Sequence, residues 1–295
     1  MRLDGIDHIT AITSDGQRCL DFYAGILGLT FLGREPDFEA PESHLIRLGL
    51  GQCENRQEGV LAFVEAPGIR RGIAGNGMAH RLSWTVRQPA ALTYWAERLS
   101  DAGIEVRRLE GESAGSLRFA DPEGLEHELT TVYNDQTADL TPSTSAVRRE
   151  HAIVRLAGIR AYGRESVPSA DILAGRLAFR VTGPESYAVG AADRGSDFSF
   201  DRPPPERGRL GAGTIHHIAW GTGGFLPAWR QRVIGMGCVA TPVIDRGAWH
   251  SIYFREPSGV LFEITAPAEA KAERVPLLRR ISPKVDPRIH GPALA

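Results

Sequence analysis

Hydrophobic positions along this chain alternate as in a strand, then recur at helical spacing, then alternate again, and that order repeats. Residues 6–12 read as a strand, and residues 17–28 carry an apolar face at helical spacing that closes on Gly28. Short strands are predicted around Phe31, at 44–48 and at 60–64. After the Gly/Arg-rich turn 67–77 the order restarts. It gives a strand at 80–86, a helix at 89–102 stopped by Gly103, and strands at 105–109, 116–119 and 126–132.

A third round runs from 156 to about 200 in eroded form. Its helix, 169–177, is short, and 190–213 reads as a Gly/Pro/Arg-rich loop. The fourth round is sharp, with a strand at 214–220, a helix at 225–234 ending at Gly235, and a strand at 238–243. A hairpin follows, 251–255 and 260–264 around Glu256-Pro257-Ser258-Gly259. The second round has the same turn chemistry in Asp121-Pro122-Glu123-Gly124. The pattern predicts an α+β chain of four βαβββ modules in two tandem domains, 1–132 and 155–266. A polar linker, 133–154, joins them, and an irregular Pro/Arg-rich tail, 267–295, wraps the surface.

Composition narrows the function classes. Of 295 residues, 42% are hydrophobic and 24% charged, enough apolar material for one large or two medium domains. A net charge of −2 gives no electrostatic reason for a nucleic-acid or membrane partner. Cys19, Cys53 and Cys238 stand singly, which suits a reducing compartment. No stretch approaches the roughly 18 apolar residues of a membrane span, so a cytoplasmic protein is expected.

Glu263 is the anomaly in the last hairpin. Alternation puts Val260, Phe262 and Ile264 on one face and Leu261 and Glu263 on the other, so Glu263 has a cationic or metal partner or else its face is wet. Histidines stand at matching places on the first strands of modules one and four, His8 and His217. Two imidazoles and one carboxylate are the set that an iron(II) site with open coordination positions requires. Alternation sends His216 to the opposite face from His217, and the match to His8 favours His217 as the ligand unless a bulge reverses the two. Modules two and three offer Arg81, Glu128 and Ala161 at the corresponding places. If module one pairs with four and two with three, one cup is complete, and in the other Glu128 pairs with Arg81.

The modular order and these ligands resemble the vicinal oxygen chelate (glyoxalase/bleomycin resistance/dioxygenase) superfamily over nearly the whole chain. Residues 5–10, 213–219 and the last hairpin look like the ring-cleaving extradiol dioxygenases that act on hydroquinones. The resemblance implies mixed curved sheets forming a cup around a metal, iron(II) or alternatively manganese(II), held by His8, His217 and Glu263. It implies a small aromatic substrate and dioxygen as partners. Tyr253 and His216 are the implied acid and base, Arg246 the group that stabilises oxyanion charge, and Thr10 a substrate-binding residue. Homo-oligomers are compatible with the exposed strand edges of this fold. Two departures stand out: Asp7 replaces the histidine that usually precedes the first ligand, and Thr265-Ala266-Pro267 follows Glu263. The rival readings are a glyoxalase-like isomerase or thiol transferase, whose site takes a fourth ligand where this chain has a residue near Phe63, and a non-enzymatic aromatic-binding protein.

Overall fold

The computed structural model describes residues 1–36, 43–53, 56–110, 115–131, 146–163, 169–191 and 195–268. The expected linker up to residue 145, and the expected tail from 269 onward, lie outside them.

Module one comprises β1 (Gly5–Thr13), α1 (Gly16–Leu20), β2 (Thr30–Pro36), β3 (His44–Gly49), a small hairpin of β4 (Gly51–Cys53) and β5 (Arg56–Glu58), and β6 (Val60–Glu65). The predicted helix 17–28 is only partly α-helical. Past α1 it widens into a π-helical turn, Asp21–Ile26, closed by the Leu27 amide on the Phe22 carbonyl five residues back. Module two comprises β7 (Met78–Val86), α2 (Pro89–Asp101), β8 (Arg107–Leu109), β9 (Ser116–Ala120) and β10 (Glu126–Thr131).

Module three comprises β11 (Ile153–Tyr162), α3 (Ser169–Leu173), β12 (Arg180–Gly183), β13 (Ser186–Val189) and β14 (Ser196–Asp201). It is not eroded in its strands. β14 lies inside the stretch expected to be a loop, because Phe198 and Phe200 alternate with polar residues and bury their rings beside β11. Module four comprises β15 (Ile215–Gly221), α4 (Leu226–Ile234), β16 (Ile244–Asp245), β17 (Trp249–Arg255) and β18 (Leu261–Pro267). Its predicted strand 238–243 reduces to one bridge, Ala240 to Phe254. Pro242, two residues on, offers no amide for a ladder.

Two eight-stranded mixed sheets result. The first runs β16-β17-β18-β15-β1-β6-β3-β2, joining modules four and one; the second runs β12-β13-β14-β11-β7-β10-β9-β8, joining three and two. Each sheet is therefore sewn from both halves of the chain through one antiparallel seam, β1 with β15 or β7 with β11. The seams match residue for residue. Trp220 lies opposite Ile6 in one, and Trp84 opposite Leu156 in the other. Both indoles are fully buried, as are Trp95 on α2 and Trp229 on α4.

Each seam carries bulges, which place one extra residue against the partner strand. In the first sheet these extra residues are Asp7, between the pairs Ile6–Trp220 and His8–Ala219, and His216, between Thr10–His217 and Ala11–Ile215. In the second they include Ala157 and His80, at the same two places.

Candidate metal centre

β1, β15 and β18 lie side by side, and each delivers one side chain to a common point. His8 stands opposite Ala219, and Ala219 opposite Glu263; His217 is two residues before Ala219 on the same face. One nitrogen from each of His8 and His217 and one oxygen of Glu263 lie within 4.8 Å of one another. The imidazoles meet edge to face, with ring centres 5.8 Å apart.

Every one of these three groups is held from behind. His8 donates Nδ1–H to Asp7 Oδ1 at 2.9 Å, which leaves Nε2 facing Glu263 Oε2 at 3.4 Å. The Nδ1 atoms of His217 and His216 are 2.9 Å apart, and His217 Nε2 faces Glu263 Oε2 at 3.0 Å. Ser251 donates its hydroxyl to the other carboxylate oxygen, Glu263 Oε1. The front atoms are different. His217 Nε2 and Glu263 Oε2 are buried, close together, and make no hydrogen bond. Two buried polar atoms aimed at one point without a hydrogen bond fit a cation held between them.

The electrostatics agree. Burial opposes charge on His8, but the Glu263 and Asp7 carboxylates outweigh it and raise its pKa to about 10. Burial likewise opposes charge on Glu263, and the two imidazoles overcome this and hold its pKa well below the usual range.

The other predicted site residues gather around this cluster. Thr10 is buried directly opposite His217. Tyr253 is opposite Glu263, with its ring 5.3 Å from that of His217. Arg246 donates to the Tyr253 hydroxyl at 3.1 Å and lies over its ring. His216 is not turned away as alternation predicts. It is the extra residue of a bulge, which swings its ring back against His217.

Tyr253 and Leu261, with Ile244, form an apolar cluster separate from the main core, lining the same face as the triad. Sequence reasoning noted Asp7 only as a departure and missed Ser251 altogether. A signal for Ser251 existed: a serine sits 12 residues ahead of the glutamate in both hairpins, and Ser116 donates to Glu128 just as Ser251 does to Glu263.

The second sheet shows what the same framework becomes without ligands. By seam register Arg81 stands where His217 does, Glu128 where Glu263 does, and Gly158, rather than Ala161, where His8 does. A Cβ on Gly158 would meet the Asp197 carbonyl oxygen at 2.4 Å, so no side chain fits there. The Arg81 guanidinium fills the place of a cation. It bonds Glu126 at 2.8 Å and approaches Glu128 at 3.8 Å, so the expected Arg81–Glu128 pair is the longer of the two. In module one the residue at Glu263's place is Ala62, one position from the expected Phe63. A hollow of about 450 Å³ lies elsewhere, where segments 71–74 and 209–214 cross beside His80 and Tyr162.

The superfamily described as "Glyoxalase/Bleomycin resistance protein/Dioxygenase superfamily" matches residues 5–129. The Bacillus subtilis (strain 168) protein named "Putative ring-cleaving dioxygenase MhqO" is 31% identical over 265 residues, 88% of this chain and 83% of that one. "Putative ring-cleaving dioxygenase MhqE" of the same organism is 28% identical, covering 90% and 87%. The crystal structure of a "putative dioxygenase from Bacillus subtilis subsp. subtilis str. 168" superposes with a TM-score of 0.78 at 28% identity, over 90% of this chain and 86% of that chain. Glyoxalase I from Zea mays superposes at 0.63 with 14% identity over 89% and 92%, a likeness of fold alone. With two pseudo-equivalent sheets, a single converging triad among the described residues and relatives that match along nearly its whole length, the chain belongs to the Glyoxalase/Bleomycin resistance protein/Dioxygenase superfamily.

Proposed function

We propose that the chain is a metal-dependent ring-cleaving dioxygenase that inserts dioxygen into a hydroquinone- or catechol-type aromatic. The observation that carries this reading is the triad of His8, His217 and Glu263, with its rear atoms hydrogen-bonded and its front atoms buried and unsatisfied. The relatives named as ring-cleaving dioxygenases support it.

Iron(II) is the metal this reading assigns, with manganese(II) as the alternative, because a redox-active ion lets triplet dioxygen react with a singlet ring. Held by these three side chains, such an ion would keep coordination positions open for substrate and oxygen. The protein's own groups do the rest. Asp7 and His216 hold the imidazole rings so that each presents Nε2. Because His217 Nδ1 donates to His216 Nδ1 when Nε2 is a ligand, the remaining His216 nitrogen, Nε2, carries its hydrogen. His216 is then a donor toward substrate in its resting form. That leaves Tyr253 as the group to exchange a proton with the phenol, with Arg246 on its hydroxyl favouring the phenolate. Thr10 lines the floor beside His217.

An isomerase of the same fold is disfavoured, since Ala62 has no ligand to offer at the fourth place. The test is oxygen uptake by protein reconstituted anaerobically with iron(II), given hydroquinones, chlorohydroquinones and catechols. Uptake matched by loss of ring absorbance, and abolished by His217→Ala, is the expected result; no uptake with any ring despite bound metal would sink the reading.

A further inference from the structure

Away from the triad, segments 67–77 and 203–214 cross backbone against backbone. A Cβ on Gly75 would collide with the Gly208 amide nitrogen, and one on Gly72 would meet the Gly211 nitrogen at 2.8 Å. Hydrogen bonds of 2.8–3.0 Å tie the crossing: Gly72 donates to the Ala212 carbonyl, Ala212 to that of Arg70, and Ile73 and Arg209 to each other. With glycines on the inside, the arginines beside them stay out of the crossing. Arg70, Arg71, Arg207 and Arg209 are all exposed. The two segments hold these four cations and one acid, Glu206, in a chain whose net charge is −2.

The hollow of about 450 Å³ lies beside this crossing, and its size falls within the roughly 300–1,000 Å³ of small-molecule sites. Arg71 and Arg209 line it, with Ile73, Leu125 and the stacked rings of His80 and Tyr162, whose centres are 3.8 Å apart and whose planes are 4° from parallel. The two carboxylates of its lining are engaged. Glu123 accepts from the Ser14 amide and from Arg18, each at 3.0 Å, and Glu126 accepts from Arg81 at 2.8 Å. The two guanidinium groups have no such match. That of Arg71 makes no hydrogen bond or ion pair among the described residues, and it lies over Gly124, where a side chain would displace it. Arg209 gives one N–H to the Arg71 carbonyl at 3.1 Å, one of the five that a guanidinium carries.

We propose that this hollow is a second ligand site, which takes a small planar carboxylate: Arg71 and Arg209 hold the acid group, and Tyr162 and Leu125 face its body. The charge follows from cations left over after the acids are paired. A carboxylate fits the planar fork of a guanidinium in two places at once. The flat body follows from the stacked rings and the apolar side chains on the remaining walls. Inorganic phosphate, which needs donors on every side, would find them on one side only. Because the walls are fixed by backbone hydrogen bonds, little ordering is needed on binding. The site shares no residue with the triad and stands independently of the ring-cleaving reading.

The experiment is calorimetric titration of iron(II)-loaded full-length protein, without oxygen and at low ionic strength, with benzoate, cinnamate, benzamide and inorganic phosphate. One equivalent of benzoate or cinnamate is expected to bind, and benzamide, the uncharged counterpart, about tenfold more weakly than benzoate. Arg71→Met and Arg209→Met should each weaken benzoate about tenfold, the worth of one hydrogen bond to a charged group, with iron content unchanged. Arg107→Met removes an equal charge from the exposed edge strand β8 and should have no effect. Benzoate binding that survives in both variants lies elsewhere in the protein and overturns the proposal. An equal loss in Arg107→Met overturns it too, since the attraction is then diffuse, as does phosphate binding as tightly as benzoate. So does the absence of one-to-one binding by either acid at millimolar concentration.

Discussion

His127 shows how much one buried proton can settle. It is wholly buried, accepts the Trp84 indole N–H on Nδ1 at 3.0 Å, and has the Tyr23 hydroxyl 3.1 Å from Nε2. Tyr23 gives its only hydroxyl hydrogen to Asp121, so His127 must be the neutral tautomer that donates from Nε2. Burial lowers its pKa to about 3. The unfolded chain takes up a proton near pH 6.5 and the folded chain does not, so stability falls as pH drops from 6.5 toward 3. The slope from this residue is about 1.4 kcal/mol per pH unit, and urea midpoints across that range should lose it in His127→Gln. Module four has Phe262 in the corresponding place, and there the Trp220 N–H is buried without a hydrogen bond. Ser251 supplies the second test at this scale. Ser251→Ala leaves Glu263 without its rear donor, and competition against a chelator should show metal affinity about 10- to 100-fold weaker. The triad itself was legible in the sequence, because repeat position exposes His8, His217 and Glu263. Its supports were not, since each acts through a contact that only the folded neighbours define.

At the scale of elements, the bulge decides what alternation cannot. The inner-face rule reads His216 as facing away, and one extra residue in β15 reverses it; the same device in β1 sets Asp7 behind His8. Nothing in a single strand's pattern marks an extra residue, because the insertion is defined against the partner. The turns were legible, and they repeat a second device. Asp121 caps the amides of Glu123 and Leu125 in its own turn and reaches Tyr23 in module one. Glu256 caps the amides of Ser258 and Val260 and accepts from Ser169 at the start of α3. Each turn carboxylate thus clasps a helical segment of another module. Glu256→Ala strips acceptors from two buried amides, and chemical denaturation should register a loss of about 2–3 kcal/mol. Iron affinity of the folded variant should stay unchanged, because Glu256 touches none of the triad.

For the whole molecule the decisive fact is that each sheet draws on both halves of the chain. Four modules in order are readable from hydrophobic periodicity, but periodicity holds no information about which modules share a sheet; that follows from the two seams. His8 comes from the first half, and His217 and Glu263 from the second. Residues 1–131 produced alone should therefore retain no metal on a desalting column, and mixing them with the remaining chain should restore it only when the β1–β15 seam reforms. Among the described residues no helix is long and apolar enough to cross a membrane. The seam also fixes a number. The second sheet has already placed a permanent charge, the Arg81 guanidinium, where the first leaves its imidazole, and has closed the facing position at Gly158 with backbone. A titration with iron(II) should accordingly reach its end point at one equivalent per chain, and the protein carries, built into its second sheet, its own blank.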